Sequence, residues 1–290
     1  MKKKTIYLSV VLSTYNDEKY IAESINSILD QTYPYFEFII VNDGSTDGTL
    51  NIIKSFKDSR IILIDKPNTG LIDSLNIGVR AAKYDWIARM DGDDIAKRNR
   101  LEEQIKLIKN DVMIISSQCS IIDGKGHYIG KTRFLTSKIG VELSKILEFP
   151  LIVHPVAMYR KAVFEKVGGY DKNMYVAEDY DLWCKMLSYG KVIISSEYLL
   201  CLRKHGNNIS IQKCNEQKIN LLIGYIKYLY GINRPLSDCK YVLLRNYIES
   251  TDCINRYKCG KGIINFLKSK IHRYINVKYD KQIKEILLGE

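Results

Sequence analysis

The 290-residue chain predicts an α/β fold, a mostly parallel sheet flanked by helices, followed by a helical C-terminal extension. Three observations predict it. Strand-like and helix-like stretches alternate four times in roughly the first 90 residues, the pattern of parallel strands joined by right-handed crossovers. Each strand-like run ends in a polar cluster, at residues 14–17, 43–47, 66–70 and 91–94. After about residue 211 the strand signals fade, and Lys, Tyr, Leu and Ile recur at helical spacing. The expected division is an α/β domain over 1–210 and a basic helical extension over 211–290.

The elements follow in order. Residues 6–12 are a continuous apolar run rich in β-branched side chains, a buried strand. Tyr20, Ile21, Ser24, Ile25, Ile28 and Leu29 repeat at helical spacing, so 18–31 reads as an amphipathic helix that Pro34 keeps from continuing. A second strand over 36–41 runs into Asn42-Asp43-Gly44-Ser45-Thr46-Asp47, a turn rich in capping residues, before a helix with Leu50, Ile53 and Phe56 inward. A third strand at 61–64 leads to Asn68-Thr69-Gly70, which opens a helix carrying Leu71, Leu75, Ile77 and Val79. The fourth strand, 86–90, ends at Met90-Asp91-Gly92-Asp93-Asp94.

Further on, the pattern predicts a helix over 100–109, a strand over 112–117 and a Gly-rich loop at 123–126. A strand at 153–158 and a short helix over 160–167, closed by Gly168-Gly169, come next. Glu178-Asp179-Tyr180-Asp181-Leu182-Trp183 begins a helix that runs to Leu187, with Gly190 as its stop. Two last strands at 192–195 and 198–202 precede a polar, flexible tail at 203–208. In the extension, Leu221, Leu222, Tyr225, Ile226 and Leu229 form one apolar stripe, Pro235 breaks it, and helices are expected over about 238–254 and 261–288.

Composition narrows the classes. The net charge is +11, and residues 211–290 hold 15 Lys and Arg against 7 Asp and Glu, so the basic excess belongs to the extension. Such a face suits an anionic membrane surface or is merely solvated; no nucleic-acid-binding module accompanies it. Seven scattered cysteines without a C-x-x-C pair exclude a disulfide framework and a zinc site, and fit a reducing cytosol. Lys2-Lys3-Lys4 before 6–12 reads as the lead into a strand rather than a signal peptide, and no run of 18 apolar residues exists.

The acidic run is the chemical centre. Three carboxylates packed at a strand end repel one another, and each needs a partner or a cation. Hard oxygen ligands suit Mn²⁺ or Mg²⁺. Taken alone, the run is equally an acidic turn with Asp94 capping a helix that starts near Ala96. The chain contains neither G-x-G-x-x-G nor a P-loop, so a bound diphosphate would have to be met by a metal.

Ser9-Val10-Val11-Leu12-Ser13-Thr14-Tyr15-Asn16, Val41-Asn42-Asp43-Gly44-Ser45-Thr46-Asp47, Asn68-Thr69-Gly70, Met90-Asp91-Gly92-Asp93-Asp94 and Glu178-Asp179-Tyr180-Asp181-Leu182-Trp183 occur in this order. Together they resemble the family 2 inverting glycosyltransferases of GT-A fold, over roughly residues 5–210. The resemblance implies a Rossmann-like GT-A sheet and transfer of a sugar from a nucleotide-diphosphate sugar, UDP-linked, to an acceptor hydroxyl. It implies that Thr14, Tyr15 and Asn16 edge the nucleotide pocket and that Asp43 bonds the base. Asn68 and Gly70 would meet the nucleotide, and Asp91 the ribose or the metal-bound phosphates. Asp93 would contact the metal, with His205 reaching the metal or the diphosphate, and Asp179 would be the catalytic base. At a helix start Asp179 should stay ionised.

Plain structural readings stand beside these: Asp179 as an N-cap only, 43–47 as a capping turn, His205 as a loop histidine, His154 as structural, Trp183 as core, and the 221–229 stripe as helix packing. The Q-x-x-R-W run and membrane helices of processive synthases are absent. The expectation is therefore a single-addition enzyme of bacterial surface-polysaccharide assembly, cytoplasmic and peripheral at the inner membrane face, acting on a saccharide or lipid-linked saccharide. A sugar nucleotidyltransferase would need a Gly- and Arg-rich loop after the first strand, which 13–17 lacks. The acidic run together with Glu178-Asp179 argues against an inactive nucleotide-sugar-binding relative.

Overall fold

The structure, a computed structural model, describes residues 5–133, 137–141, 152–205, 214–250 and 280–288. In chain order they form β1 (Leu8–Thr14), α1 (Ile21–Leu29), β2 (Phe36–Asp43), α2 (Thr49–Ser55), β3 (Ile61–Lys66), α3 (Leu71–Ala81), β4 (Trp86–Asp91), β5 (Ile95–Ala96) and α4 (Arg100–Ile105). These continue with β6 (Val112–Asp123), β7 (Tyr128–Lys131), β8 (Ser137–Val141), β9 (Met158–Arg160), α5 (Lys161–Lys166), α6 (Glu178–Met186) and β10 (Lys191–Lys204). The extension supplies α7 (Cys214–Leu229), α8 (Asp238–Ser250) and α9 (Asp280–Leu288).

The ten strands among the described residues share one sheet, in the order β3-β2-β1-β4-β9-β6-β10-β5, with β7 paired to β6 and β8 to β10. Strands β1 to β4 are mutually parallel, and β6 is parallel to β10. The short β9 is antiparallel to both β4 and β6, so it splices the two parallel sets in the same direction. Strands β1, β2, β3, β4, β6 and β10 therefore all deliver their carboxyl ends to one rim. Side chains alternate across the sheet. Val11, Ile39, Val41 and Ile87 face α3 and α6, whereas Val10, Leu12, Phe38, Ile40 and Ala88 face α1 and α4. Helix α3 lies so close to β1 that a Cβ on Gly78 would fall 2.6 Å from Val11 Cγ1.

A third cluster joins α6 to the extension. Met174, Tyr180 and Cys184 pack against Ile219, Leu222, Ile223, Tyr225 and Ile226 of α7, and on to Leu244, Ile283 and Leu287. Leu221, Leu222, Tyr225 and Ile226 of the expected stripe are thus spent on internal packing. Among the described residues no helix is long and apolar enough to cross a membrane.

Several expectations need correction. The strand expected at 153–158 is a single 3₁₀ turn, His154–Val156, followed by β9. Pro155 has no N–H to give a ladder, which rules out a strand there. Helix 100–109 closes as a regular helix at Ile105, and helix 18–31 is the shorter α1. The strands expected at 192–195 and 198–202 are one strand, β10, with register shifts around Tyr198. The expected tail at 203–208 begins inside β10: Arg203 is buried and ion-paired. Its remainder at 206–208, and the helical expectations over 251–279, lie outside the described residues. No helix begins near Ala96, so Asp94 is not a helix cap; Ile95–Ala96 pairs with β10 instead.

Candidate active site

The rim is assembled from strand ends. Beyond β1, Asn16 takes a left-handed backbone conformation (φ 57°), which asparagine tolerates better than most residues. Its side-chain oxygen accepts the Thr46 N–H at 2.8 Å, and its own amide donates to Ser45 Oγ at 3.0 Å. Thr14 Oγ1 donates to Asp17 Oδ2 at 2.7 Å. Tyr15 is 47% exposed above them.

Asp43, at the end of β2, accepts from Lys66 Nζ at 2.5 Å, from the Thr69 N–H at 2.9 Å and from the Gly70 N–H at 3.0 Å. Burial pushes its pKa up, but these donors outweigh it and hold the group below the usual carboxylate range. Asp43 thereby caps α3 from a distance and fixes the loop that carries Asn68 and Gly70. Gly44 lets that loop approach, because a Cβ there would lie 2.6 Å from the Asn68 nitrogen. The capping-turn reading holds for Asp47, whose Oδ1 accepts the Thr49 N–H at 3.0 Å.

Asp91, Asp93 and Asp94 present oxygens that all lie within 4.8 Å of one another. Burial is the main cause that raises the pKa of Asp91 and, more strongly, of Asp94; like-charged neighbours add to it. Asp94 Oδ1 accepts the Arg203 N–H at 2.7 Å, while its Oδ2 is buried without a partner. Asp93 Oδ2 meets His205 Nε2 at 2.8 Å, which places His205 beside the acidic run. The His205 ring stacks on Tyr20 at 5.4 Å. Arg203 Nε donates to the Asp93 carbonyl at 2.7 Å, and Arg203 Nη2 pairs with Glu23 Oε2 at 2.5 Å.

Two residues that sequence reasoning did not single out organise this cluster. Arg89, in the middle of β4, is 1% exposed and forms an ion pair with Asp91. Its charge also lowers the pKa of Asp94, Glu178 and Asp179. One buried guanidinium thus serves the acidic run and the acid pair of α6 together. A charged residue inside the apolar stretch Trp86-Ile87-Ala88-Arg89-Met90 was the signal available in the sequence. The second is Asp17, raised to about 6 chiefly by burial, with Asp93 and Asp91 contributing. Gly92 makes room for it, since a Cβ there would fall 2.5 Å from Asp17 Oδ2.

Helix α6 begins at Glu178, and Asp179 Oδ1 accepts the N–H of its neighbour Tyr180 at 2.7 Å. Burial raises Glu178 to about 8 and Asp179 to about 6. For Asp179 burial outweighs the favourable amides and raises the pKa, and a group at about 6 is mostly ionised at neutral pH. Val176, just before α6, has φ 62°, a costly conformation for a β-branched residue and one found where a site is held under strain. His154 is structural in its contacts: its Nε2 meets the Tyr170 hydroxyl at 2.8 Å, and burial pushes its pKa well down. Trp183 is 3% exposed and packs within the core.

A cleft of about 460 Å³ opens between the start of α3 and the loop before α6, lined by Gly70, Asp73, Tyr170, Tyr175, Pro235 and Leu236 among others. Its last two residues come from the extension.

A Rossmann-like sheet with an acidic strand end and a helix-borne acid pair on one rim has the architecture of the GT-A fold. The glycosyl transferase family 2 profile matches residues 9–168, and the chain belongs to that family. An uncharacterized glycosyltransferase of Haemophilus influenzae is 35% identical over 285 residues, covering 92% of this chain and 87% of that one. The O-antigen biosynthesis glycosyltransferase WbnJ of Escherichia coli is 34% identical over 188 residues, 62% of this chain and 72% of that one. Two solved structures share the fold. S. aureus TarS 1–349 in complex with UDP has a TM-score of 0.64 at 21% identity, covering 92% of this chain and 76% of that one. The mannosyltransferase PcManGT of Pyrobaculum calidifontis, in complex with GDP-Man and Mn²⁺, has a TM-score of 0.59 at 19% identity, covering 77% of this chain and 64% of that one.

Proposed function

We propose that the chain transfers a sugar from a UDP-linked donor to an acceptor hydroxyl with inversion at the anomeric carbon. The observation that carries the reading is Arg89, which ties the acidic run and the pair Glu178-Asp179 to one buried charge. An inverting displacement needs an acceptor proton removed on one face and a diphosphate released on the other. Asp179 is the base: it takes the hydroxyl proton as the acceptor oxygen bonds the anomeric carbon and the bond to the diphosphate breaks. The nucleotide lies along Thr14, Tyr15 and Asn16, with its base toward Asp43 and Asn68-Gly70 and its ribose and phosphates toward Asp91. The acceptor enters by the cleft beside Tyr175.

The donor set fits a hard divalent cation, Mn²⁺ or Mg²⁺: the clustered ligand atoms are all oxygen, and one buried oxygen, Asp94 Oδ2, has no partner. Asp93 would be the principal ligand, with Asp91, Asp94 and His205 at hand. When bound, the ion would supply positive charge against the leaving diphosphate. In calorimetry with UDP and MnCl₂, Asp93→Ala is expected to weaken the metal-dependent part of binding by about tenfold or more. Unchanged affinity would refute the ligand assignment.

Likeness to WbnJ supports a role in surface-polysaccharide assembly, on a saccharide or lipid-linked saccharide. Because Leu221, Leu222, Tyr225 and Ile226 of α7 pack inward, attraction to an anionic membrane would draw on the basic charge of the extension rather than on that stripe. Hydrolysis and transfer with a panel of nucleotide-sugars, followed by the anomeric configuration of the product, test the reading. A retained configuration, or turnover of no member of the panel, would sink it.

A further inference from the structure

Four charges are buried together behind the acid pair. Asp181, two residues after Asp179, pairs with Lys185 Nζ at 2.7 Å and with Lys227 Nζ at 2.5 Å. Lys227 also pairs with Asp171 at 3.3 Å, and Lys185 Nζ donates to the Gly169 carbonyl at 2.8 Å. Lys227 belongs to α7, in the extension, and is 1% exposed. Two carboxylates and two ammonium groups make the quartet neutral. Burial would raise the pKa of Asp181, but the two lysines overcome this and hold it below the usual range.

The same helix grips the strained turn. Asn220 Nδ2 donates to the Tyr175 carbonyl at 2.8 Å, next to Val176, and Tyr241 of α8 holds Asn220 by its amide oxygen at 2.8 Å. Gly224 allows α7 to come this near, since a Cβ there would already lie 3.2 Å from Tyr180 Cδ1. The segment from Tyr175 to Asp181 is therefore clamped at both ends by a helix about 45 residues further along the chain, a long-range contact of the kind that fixes a site within a fraction of an ångström.

We propose that the C-terminal extension is a working part of the catalytic centre, with Lys227 and Asn220 as positioning residues that set the place and the electrostatic surroundings of Asp179. The inference rests on Asp179 being the base. It separates from a purely structural role because the quartet can be unbalanced in either sense. Lys227→Met leaves it with a net negative charge and Asp171→Asn with a net positive one. The amide introduced by Asp171→Asn would keep an acceptor oxygen for the Asn173 N–H that Asp171 now holds at 3.0 Å.

A unit charge roughly 10 Å away, at an effective dielectric of about 20, moves a pKa by about one unit. The other groups that face Asp179 are Glu178 on its own helix, Arg89 and Asp91 on β4, and Tyr170 in the preceding loop. All of them are unchanged in both variants.

The experiment is a carboxyl ¹³C NMR titration of the full chain labelled at Asp and Glu, with Asp179→Asn used to assign the signal. The Asp179 midpoint should rise by about one unit in Lys227→Met and fall by a similar amount in Asp171→Asn. Both folded variants should lose kcat at neutral pH more than they change the donor KM, measured with the sugar nucleotide that the wild type hydrolyses in the panel. Midpoints within about 0.2 unit of wild type in Asp171→Asn, or moving the same way in both variants, would overturn the proposal. If Lys227→Met fails to fold, Asp171→Asn alone decides it. Should Asp179→Asn keep normal turnover, the base assignment falls, while the titration still reports whether the quartet governs that carboxyl.

Discussion

Asp179→Asn is expected to lower kcat by about a thousandfold, within the range a positioned general base contributes, while donor affinity stays within a few-fold of wild type. The amide keeps the shape of the side chain and can still accept the Tyr180 N–H, so the fold should survive. What is lost is the site proposed to take the acceptor proton. In the wild type that site must be unprotonated. With a pKa of about 6, activity should be full above neutrality and fall tenfold per unit as the pH drops below about 6. Glu178, raised to about 8 by burial, is mostly protonated at pH 7 and so is fitted to donate a hydrogen bond. Neighbouring acids pushed to different values divide the roles of base and donor. Steady-state kinetics over pH 5 to 9, together with donor titration by calorimetry, check this. A variant that turns over at near wild-type rate would remove Asp179 from the mechanism.

Arg89→Met should be the most destabilising single change at the site. It takes from Asp91 its ion-pair partner and strips a counter-charge from Asp94, Glu178 and Asp179. Removing one partner of a fully buried pair costs about 3–5 kcal/mol, and with the Asp91 side chain 30% exposed the loss should fall at the lower end of that range. In a chain of this size that corresponds to a fall in Tm of roughly 10 °C.

The pH dependence gives a second signature. A carboxyl whose pKa is raised by folding destabilises the fold once pH exceeds its unfolded value, and does so increasingly until pH passes the folded value. Glu178, Asp179 and Asp17 are already raised, to about 8, 6 and 6. Without Arg89 the first two rise further. The deficit against wild type should therefore be larger at pH 8 than at pH 5, as read by urea unfolding. A deficit that does not vary with pH would mean that Arg89 acts by packing alone.

Much of the architecture was legible. Apolar period and turn chemistry located β1 to β4 and α1 to α3 within a few residues, because both are local properties of the chain. The convergence of residues 14–17, 43–47, 66–70 and 91–94 on one rim followed from parallel topology and is what the sheet shows. Sequence reasoning went wrong where a non-local contact overrode a local pattern. The polar stretch after residue 202 looked like a loose tail, yet Arg203 and His205 are bonded to Asp94 and Asp93 more than 100 positions earlier. The apolar stripe at 221–229 could have faced lipid or protein, and only the partner surface of α6 decides between them.

The sequence by itself determined the order of β1 to β4 and α1 to α3, the rim on which the chemistry gathers, and the acidic residues available to it. Tertiary structure alone decided which charges neutralise which. Arg89 had no visible partner in β4, and Lys227 looked like one more lysine in a basic extension. Each becomes interpretable only when the sheet and α7 bring it against carboxylates distant in the chain. Charge pairing depends on distance in space and on the removal of water, and neither is encoded in sequence spacing.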